Sequence, residues 1–181
     1  MNAKKALLLF LSWFVLSHCV GQQAYQRTNT ITGIRAIVSA QYPNHYLSID
    51  NGEFFGSRYG DQGKIEVTQE IGSHELLLIK EIEPGVYAFG STDVKERYLR
   101  MDGALVTPQS QAPGGILNLQ VYVGGYEKFK IEKQADGTYT IESIAFPGRY
   151  LHMTKDKVLV SNRVGAKERF YLLEKERKLS H

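Results

Sequence analysis

The chain has 181 residues, of which 43% are hydrophobic and 23% are charged, and its formal net charge at pH 7 is +3. This length is enough for one domain stabilised by an apolar core. The single cysteine excludes a disulfide framework, and the near balance of charge excludes a protein that attracts polyanions over its whole surface.

Residues 1–21 have the pattern of a secretory signal peptide. Lys4 and Lys5 precede an apolar run, residues 6–16, that is too short to span a bilayer, and Cys19-Val20-Gly21 is a small-x-small cleavage site. A buried N-terminal helix is one alternative, and a lipoprotein that retains an acylated Cys19 is another. His18 disfavours the lipoprotein, because that motif carries a small residue before the cysteine. We therefore predict a secreted, extracellular protein whose mature chain does not insert into a membrane.

Cleavage after Gly21 would remove the only cysteine and the only tryptophan. It would also remove two lysines, which leaves 20 basic and 19 acidic residues. The basic residues are concentrated in the last third of the chain, where residues 149–181 hold nine against four acidic ones. An anionic partner is therefore expected to contact this third. Nucleic acid is not expected as a partner of an exported chain.

A short motif recurs at a fixed interval along the chain. Tyr-Leu pairs begin at Tyr46, Tyr98 and Tyr150, so both intervals are 52 residues. Self-similarity at a fixed period is typical of an architecture built from repeated supersecondary units. The three pairs are therefore predicted to be the same strand in three copies of one unit.

Alternating polar and apolar residues predict four short strands in each unit. The first strands are expected at residues 34–38, 86–89 and 138–141, and the second strands contain the Tyr-Leu pairs. The third strands are predicted at Glu53-Phe54-Phe55, Ala104-Leu105-Val106 and Val158-Leu159-Val160, after turn signals such as Asp102-Gly103. The fourth strands are predicted from Glu75-x-Leu77-x-Ile79, Glu127-x-Phe129-x-Ile131 and Glu168-x-Phe170-x-Leu172. Residues 64–67 and 116–123 alternate as well and are expected to extend the hairpins.

The second strands also predict which side chains are buried. Residues at i and i+2 share one face of a strand, so Leu47, Leu99 and Leu151 are expected to face the core. The intervening polar residues are Ser48, Arg100 and His152, and they are expected to face solvent.

Twelve strands in three units, with no significant helix after the signal peptide, predict an all-β protein with a β-trefoil fold. Each unit alone would leave an apolar face exposed, so three units are expected to meet around one axis. The predicted trefoil domain comprises residues 34–174. Residues 22–33 and 175–181 are polar and are expected to be flexible.

Part of the chain resembles the fibroblast growth factors. Residues 85–91, followed by residues 97–106 with Tyr98-Leu99 and Met101-Asp102-Gly103, look like the central segment of that family. The similarity extends from about residue 34 to residue 173 and includes Gly165-Ala166-Lys167, where the family carries a Gly-x-Lys in its heparin-binding loop. Interleukin-1-like cytokines share the architecture. The resemblance implies a β-trefoil that binds a cell-surface receptor with heparan sulfate as co-ligand.

The basic residues of the third unit form the candidate binding site, namely Lys155, Lys157, Arg163, Lys167 and Arg169. Sulfate and carboxylate groups of a glycosaminoglycan are expected to accept charge-assisted hydrogen bonds there, in a salt-sensitive manner. The alternative is a solvated surface in which Asp156 and Glu168 are interleaved with the cations. His152 is expected either to tune binding or to be an ordinary outward strand residue.

The sequence does not predict an enzyme, a metal site or a cofactor. The mature chain would have no thiol, and its histidines lack the close spacing of a helical zinc motif. There is also no Gly-x-Ser-x-Gly nucleophile motif and no phosphate-binding Gly-rich loop.

Two classes of function remain. The first is a secreted, monomeric signalling ligand that resembles a fibroblast growth factor and binds a sulfated glycosaminoglycan and a receptor. The second is a binding trefoil of another kind, either a carbohydrate-binding lectin or a protease inhibitor. The absence of tryptophan from the mature chain disfavours a lectin of the ricin type, which carries Gln-x-Trp. An inhibitor would need a rigid loop, such as residues 107–110 or 146–148.

Overall fold

The structure is a computed structural model, and it describes residues 25–50, 63–93, 95–106 and 114–175. The predicted signal peptide, the predicted strand at residues 53–55, the candidate inhibitor loop at residues 107–110 and residues 176–181 of the predicted tail lie outside the described residues.

Within these ranges the protein is all-β, with thirteen strands and one short 3-10 helix, Ala166–Glu168. The strands are β1 (Tyr25–Arg27), β2 (Gly33–Ser39), β3 (Tyr46–Asp50), β4 (Lys64–Thr68), β5 (Leu76–Glu83), β6 (Val86–Ser91), β7 (Tyr98–Asp102), β8 (Ile116–Gln120), β9 (Phe129–Lys133), β10 (Tyr139–Ser143), β11 (Tyr150–Met153), β12 (Val158–Ser161) and β13 (Phe170–Lys175). The described part of the chain contains no helix that is both long enough and apolar enough to cross a bilayer.

Six strands form a closed antiparallel ring. The order is β2, β5, β6, β9, β10 and β13, and β13 pairs back with β2. Closure leaves no unpaired edge among these six strands, so their backbone groups are satisfied within the sheet. Two strands of each predicted unit contribute to this ring, and the other two form a hairpin attached to it.

The three hairpins join the ring in the same way. Strand β3 pairs with β2 through Val38 and Tyr46, β7 pairs with β6 through Gly90 and Tyr98, and β11 pairs with β10 through Glu142 and Tyr150. The Tyr of each Tyr-Leu pair is therefore the residue at which each hairpin leaves the ring. This threefold arrangement confirms the predicted β-trefoil.

One apolar core lies at the centre of the three units. Leu47, Leu99 and Leu151 have no exposed surface, as expected. They belong to the same cluster as Phe89 and Phe129, whose ring centroids are 5.1 Å apart in an edge-to-face arrangement. Because such interiors are closely packed, truncation of one of these leucines to alanine is expected to cost about 2–5 kcal/mol.

The prediction that Ala104-Leu105-Val106 forms a strand is wrong. These residues form a turn, in which the Ala104 N–H donates to Asp102 Oδ1 and the Val106 N–H donates to the Gly103 carbonyl. The partner of β7 is instead β8, with Asp102 opposite Ile116. Likewise β4 pairs with β3, so the alternating segments expected to extend the hairpins are themselves the third strands.

The prediction that Ser48, Arg100 and His152 face solvent is also wrong. Ser48 is 1% exposed and His152 is 5% exposed, and the Arg100 side chain is only 20% exposed. The burial results from contacts with a segment that is distant in the sequence. In the second and third units, the loop after the hairpin places a buried carboxylate against this face, with Glu127 beside Arg100 and Glu168 beside His152.

Strand β1 lies within the segment that was expected to be flexible. It pairs with β13, with Tyr25 opposite Lys175, and the Arg27 guanidinium lies 3.5 Å from the centroid of the Tyr171 ring. These contacts add a thirteenth strand to the twelve that the repeats predict.

Candidate functional site

A buried glutamate organises the loop after each hairpin. Glu75, Glu127 and Glu168 occupy equivalent positions and are each at most 5% exposed. Each accepts a hydrogen bond of 2.7 Å from the backbone N–H of the residue three positions earlier, which is Gly72, Gly124 or Gly165. A buried carboxylate is costly unless it is hydrogen-bonded, so these contacts fix the loops.

Glycine at this position leaves room for the close approach of the carboxylate. A Cβ at Gly124 would lie 3.0 Å from Glu127 Oε2, and a Cβ at Gly165 would lie 3.2 Å from Glu168 Oε2. The sequence carries this signal as Gly-x-x-Glu in all three units, although it is easily overlooked beside the stronger Tyr-Leu repeat.

We call the surface between each hairpin and its following loop a groove, and we number the three grooves by unit. The third groove consists of the β11–β12 hairpin, residues 162–168 and Gln41 from the loop between β2 and β3. It encloses a cavity of about 400 Å³, a size typical of small-molecule sites. The cavity is lined by Gln41, His152, Thr154, Leu159, Arg163, Gly165, Ala166, Lys167 and Glu168.

A buried imidazole and carboxylate pair lies in this cavity. His152 Nδ1 is 2.5 Å from Glu168 Oε1, and both side chains are at most 6% exposed. Burial raises the pKa of Glu168, but hydrogen bonds from His152, the Gly165 N–H and Ser161 outweigh it and hold the pKa below its ordinary value. An ionised carboxylate can only accept, so Nδ1 carries the proton of this hydrogen bond.

Two of the five predicted cations line the cavity. Arg163 and Lys167 lie on the loop that Glu168 fixes, and both belong to the lining. The structure therefore brings these two together over His152. Their role in binding an anion stays a prediction.

The other three cations lie outside the lining. The Lys155 ammonium is 5.8 Å from the centroid of the Tyr42 ring, beside the lining residue Gln41. Lys157 is exposed in the turn between β11 and β12. The Arg169 guanidinium lies 3.5 Å from Asp136 and 3.4 Å from Thr138 Oγ1, so it already has an acidic partner. Binding roles for these three also stay predictions.

The alternative of a solvated charged surface fails at one residue. Glu168 was expected to alternate with the cations at the surface, but it is 3% exposed and bonded to His152 and Gly165. Gln41, Thr154 and Leu159 line the cavity and were not predicted as site residues. Gln41 comes from another unit, and no local pattern marks it.

The first groove has a different polar set. His74 Nε2 lies 3.2 Å from Asp93 Oδ2, and Thr68 Oγ1 donates to Glu75 Oε1 at 3.0 Å. Across the described ranges, no group of three or more His, Cys, Asp or Glu side chains is placed to hold a metal ion.

No protein-family model matches the chain, and no curated protein matches its sequence. Solved structures do match. A designed threefold symmetric protein, ThreeFoil, has a TM-score of 0.59 at 16% identity, and the match covers 78% of this chain and 99% of ThreeFoil. A mosquitocidal holotoxin has a TM-score of 0.60 at 17% identity, with 87% of this chain covered but only 18% of the toxin.

A lectin from Polyporus squamosus has a TM-score of 0.61 at 17% identity. The match covers 82% of this chain and 50% of the lectin, so the chain spans half of the lectin's length. At such identities the matches show the fold alone. They establish the class as a β-trefoil, and they support the growth-factor resemblance at the level of the fold only.

Proposed function

We propose that this protein is a carbohydrate-binding β-trefoil that holds an acidic glycan in the third groove. One observation supports this proposal most directly, namely the cavity in which Arg163 and Lys167 lie above the buried pair of His152 and Glu168. We further propose that it acts outside the cell, as the pattern of residues 1–21 suggests, and as a binding protein without catalytic activity.

The lining offers a donor or acceptor for each part of an acidic sugar. The Arg163 guanidinium can donate two parallel hydrogen bonds to a carboxylate or sulfate, and the Lys167 ammonium adds a second positive charge. The Gln41 amide and the Thr154 hydroxyl can bond to sugar hydroxyls. Leu159 supplies an apolar surface for the C–H groups of the ring. These residue types suit a ligand that is polar, anionic and of limited size.

The structural neighbours favour this proposal over receptor signalling. The Polyporus squamosus lectin was solved with the human-type influenza-binding epitope Neu5Aca2-6Galb1-4GlcNAc, in which the terminal sugar carries a carboxylate. A sulfated glycosaminoglycan, the partner that the growth-factor resemblance implies, belongs to the same chemical class of acidic glycans. The proposal therefore keeps that ligand class and does not require a receptor.

A binding titration with matched variants tests the proposal. The probes are Neu5Acα2-6Galβ1-4GlcNAc, a heparin oligosaccharide and the neutral disaccharide Galβ1-4GlcNAc. Loss of one charge-assisted hydrogen bond costs about 1.5–3 kcal/mol, so Arg163→Gln and Lys167→Gln should each weaken acidic binding about tenfold or more. Affinity should also fall as salt is raised.

Lys157→Gln is the control, because it removes the same charge as Lys167→Gln from an exposed residue that does not line the cavity. It should leave the affinity within about twofold, as expected for an exposed charge outside the site. Wild-type affinity in Arg163→Gln and Lys167→Gln, or a lack of binding to both acidic probes, would contradict the proposal.

A further inference from the structure

The loop of the second groove is fixed by the same contact as the loop of the third, namely a buried glutamate that accepts a glycine N–H. We call this contact and the backbone it fixes the frame of the groove. It is formed by the β7–β8 hairpin, residues 121–127 and the loop between β10 and β11. Glu127 is 3% exposed and accepts the Gly124 N–H at 2.7 Å, the same distance at which Glu168 accepts the Gly165 N–H. The backbone that presents the loop side chains is therefore held by the same contact in both grooves.

The side chains on that frame differ between the two grooves. Counting from the buried glutamate, Tyr122 occupies the position of Arg163, and Tyr126 occupies the position of Lys167. Both cations of the third groove are thus replaced by phenol rings.

Two tyrosines of the second groove lie at the surface. Tyr122 is 64% exposed, and its ring lies along Gly124, with Cε2 3.3 Å from where a Cβ would be. Tyr126 is 37% exposed, and its ring meets the Phe146 ring edge to face at a centroid distance of 4.9 Å. Tyr126 and Phe146 therefore form one aromatic pair, and Tyr122 is exposed on the same loop as Tyr126.

The charges of the second groove offset one another. Arg100 lies at the position of His152, with its guanidinium 4.5 Å from the centroid of the Tyr126 ring. The same guanidinium lies 3.7 Å from Glu127 Oε1 and 3.5 Å from Asp102 Oδ2. Arg149 of the loop between β10 and β11 adds a second cation, because its Cγ lies 2.8 Å from where a Cβ on Gly103 would be. Two carboxylates and two cations leave no excess of either sign, so these charges favour neither an anionic nor a cationic ligand.

The pyranose ring of a sugar fits this combination of surfaces. Its C–H groups form an apolar face that can stack on an aromatic ring, whose face carries partial negative charge. Its hydroxyls can donate to Asp102 and accept from Arg100.

We infer that the second groove binds a neutral sugar residue, stacked on Tyr122 and Tyr126 with its hydroxyls on Asp102 and Arg100. This site is separate from the acidic site of the third groove and does not depend on it. The protein then presents two grooves of different chemistry, one for acidic sugars and one for neutral sugars.

The test uses four neutral probes, namely lactose, Galβ1-4GlcNAc, maltose and cellobiose, measured by saturation-transfer NMR and calorimetry. Salt at about 0.5 M suppresses ionic binding at the third groove, whereas stacking is unaffected. At least one probe should bind, and Tyr122→Ala and Tyr126→Ala should each weaken it about tenfold. Tyr126→Phe keeps the ring and should stay within about twofold.

Ile34→Ala is the matched control, because Ile34 is 51% exposed on β2 and belongs to neither groove. It should leave binding unchanged. Thermal unfolding confirms that each variant is folded. The inference is overturned if none of the four probes binds, or if binding survives both alanine variants. It is also overturned if Tyr122→Ala breaks a dimer in sedimentation experiments without affecting any sugar.

Discussion

The second and third grooves share a frame and differ in what the frame presents. In both, a buried glutamate accepts a glycine N–H, and this contact fixes the loop that leads up to the glutamate. In the third groove that loop carries Arg163 and Lys167, whereas in the second it carries Tyr122 and Tyr126. The residues that stabilise the loop are thus distinct from those placed to contact a ligand, so recognition can change without loss of the fold.

The largest effect is expected from removal of the shared frame. Glu168→Ala leaves the Gly165 N–H and His152 without their acceptor, and Glu127→Ala does the same to the Gly124 N–H. Each should lower the free energy of unfolding by about 3 kcal/mol in denaturant titrations. Glu132→Ala is the control, because this side chain is 49% exposed and pairs only with Lys130 at the surface. It should cost less than about 1 kcal/mol. Equal costs for the buried and exposed glutamates would contradict the shared frame.

An exchange of side chains between the grooves is expected to have the next largest effect. The double variant Arg163→Tyr with Lys167→Tyr gives the third groove the loop side chains of the second. Two charge-assisted hydrogen bonds are lost, so affinity for a heparin oligosaccharide should fall about 100-fold and lose its dependence on salt. Stability should change by less than about 1 kcal/mol, because Glu168 and Gly165 are untouched. Retained binding of the acidic sugar would show that these positions do not determine specificity.

A smaller effect is expected from acid. Burial raises the pKa of Glu168, yet the bonds from His152, Gly165 and Ser161 bring it below the ordinary value of 4.5. The unfolded state therefore binds the proton more readily, so this carboxylate stabilises the fold above about pH 4.5 and loses that contribution as the pH falls through the lowered pKa. The free energy of unfolding should fall more steeply between about pH 5 and pH 3 in the wild type than in Glu168→Gln. Parallel curves for the two proteins would exclude this contribution.

The sequence predicts the fold better than the site. Leu47, Leu99 and Leu151 recur at one period and with one alternation, and this local information is enough to define three units and a common core. The third strand of the second unit was misplaced because Asp102-Gly103 resembles a tight hairpin turn. The residues directly after Asp102 instead form a turn, and the strand that pairs with β7 is β8.

The site depends on contacts between distant segments, which a local pattern does not carry. Glu168 alternates with basic residues and so resembles a surface charge, yet the fold places it against His152, sixteen residues earlier. The sequence places Arg163 and Lys167 in one basic region, but nothing in it separates them from Arg169. That separation arises because Arg169 lies against Asp136, which belongs to the turn between β9 and β10.

The pairing of β1 with β13 has a consequence for engineering. Tyr25 and Lys175 are directly opposite in an antiparallel pair, so their Cα atoms are about 5 Å apart. A linker of a few residues could therefore connect these two positions without strain. New termini could be opened at the exposed turn around Gly137, between β9 and β10. Such a circular permutant would keep all three grooves, and it would show whether the trefoil can assemble from units joined in a different order.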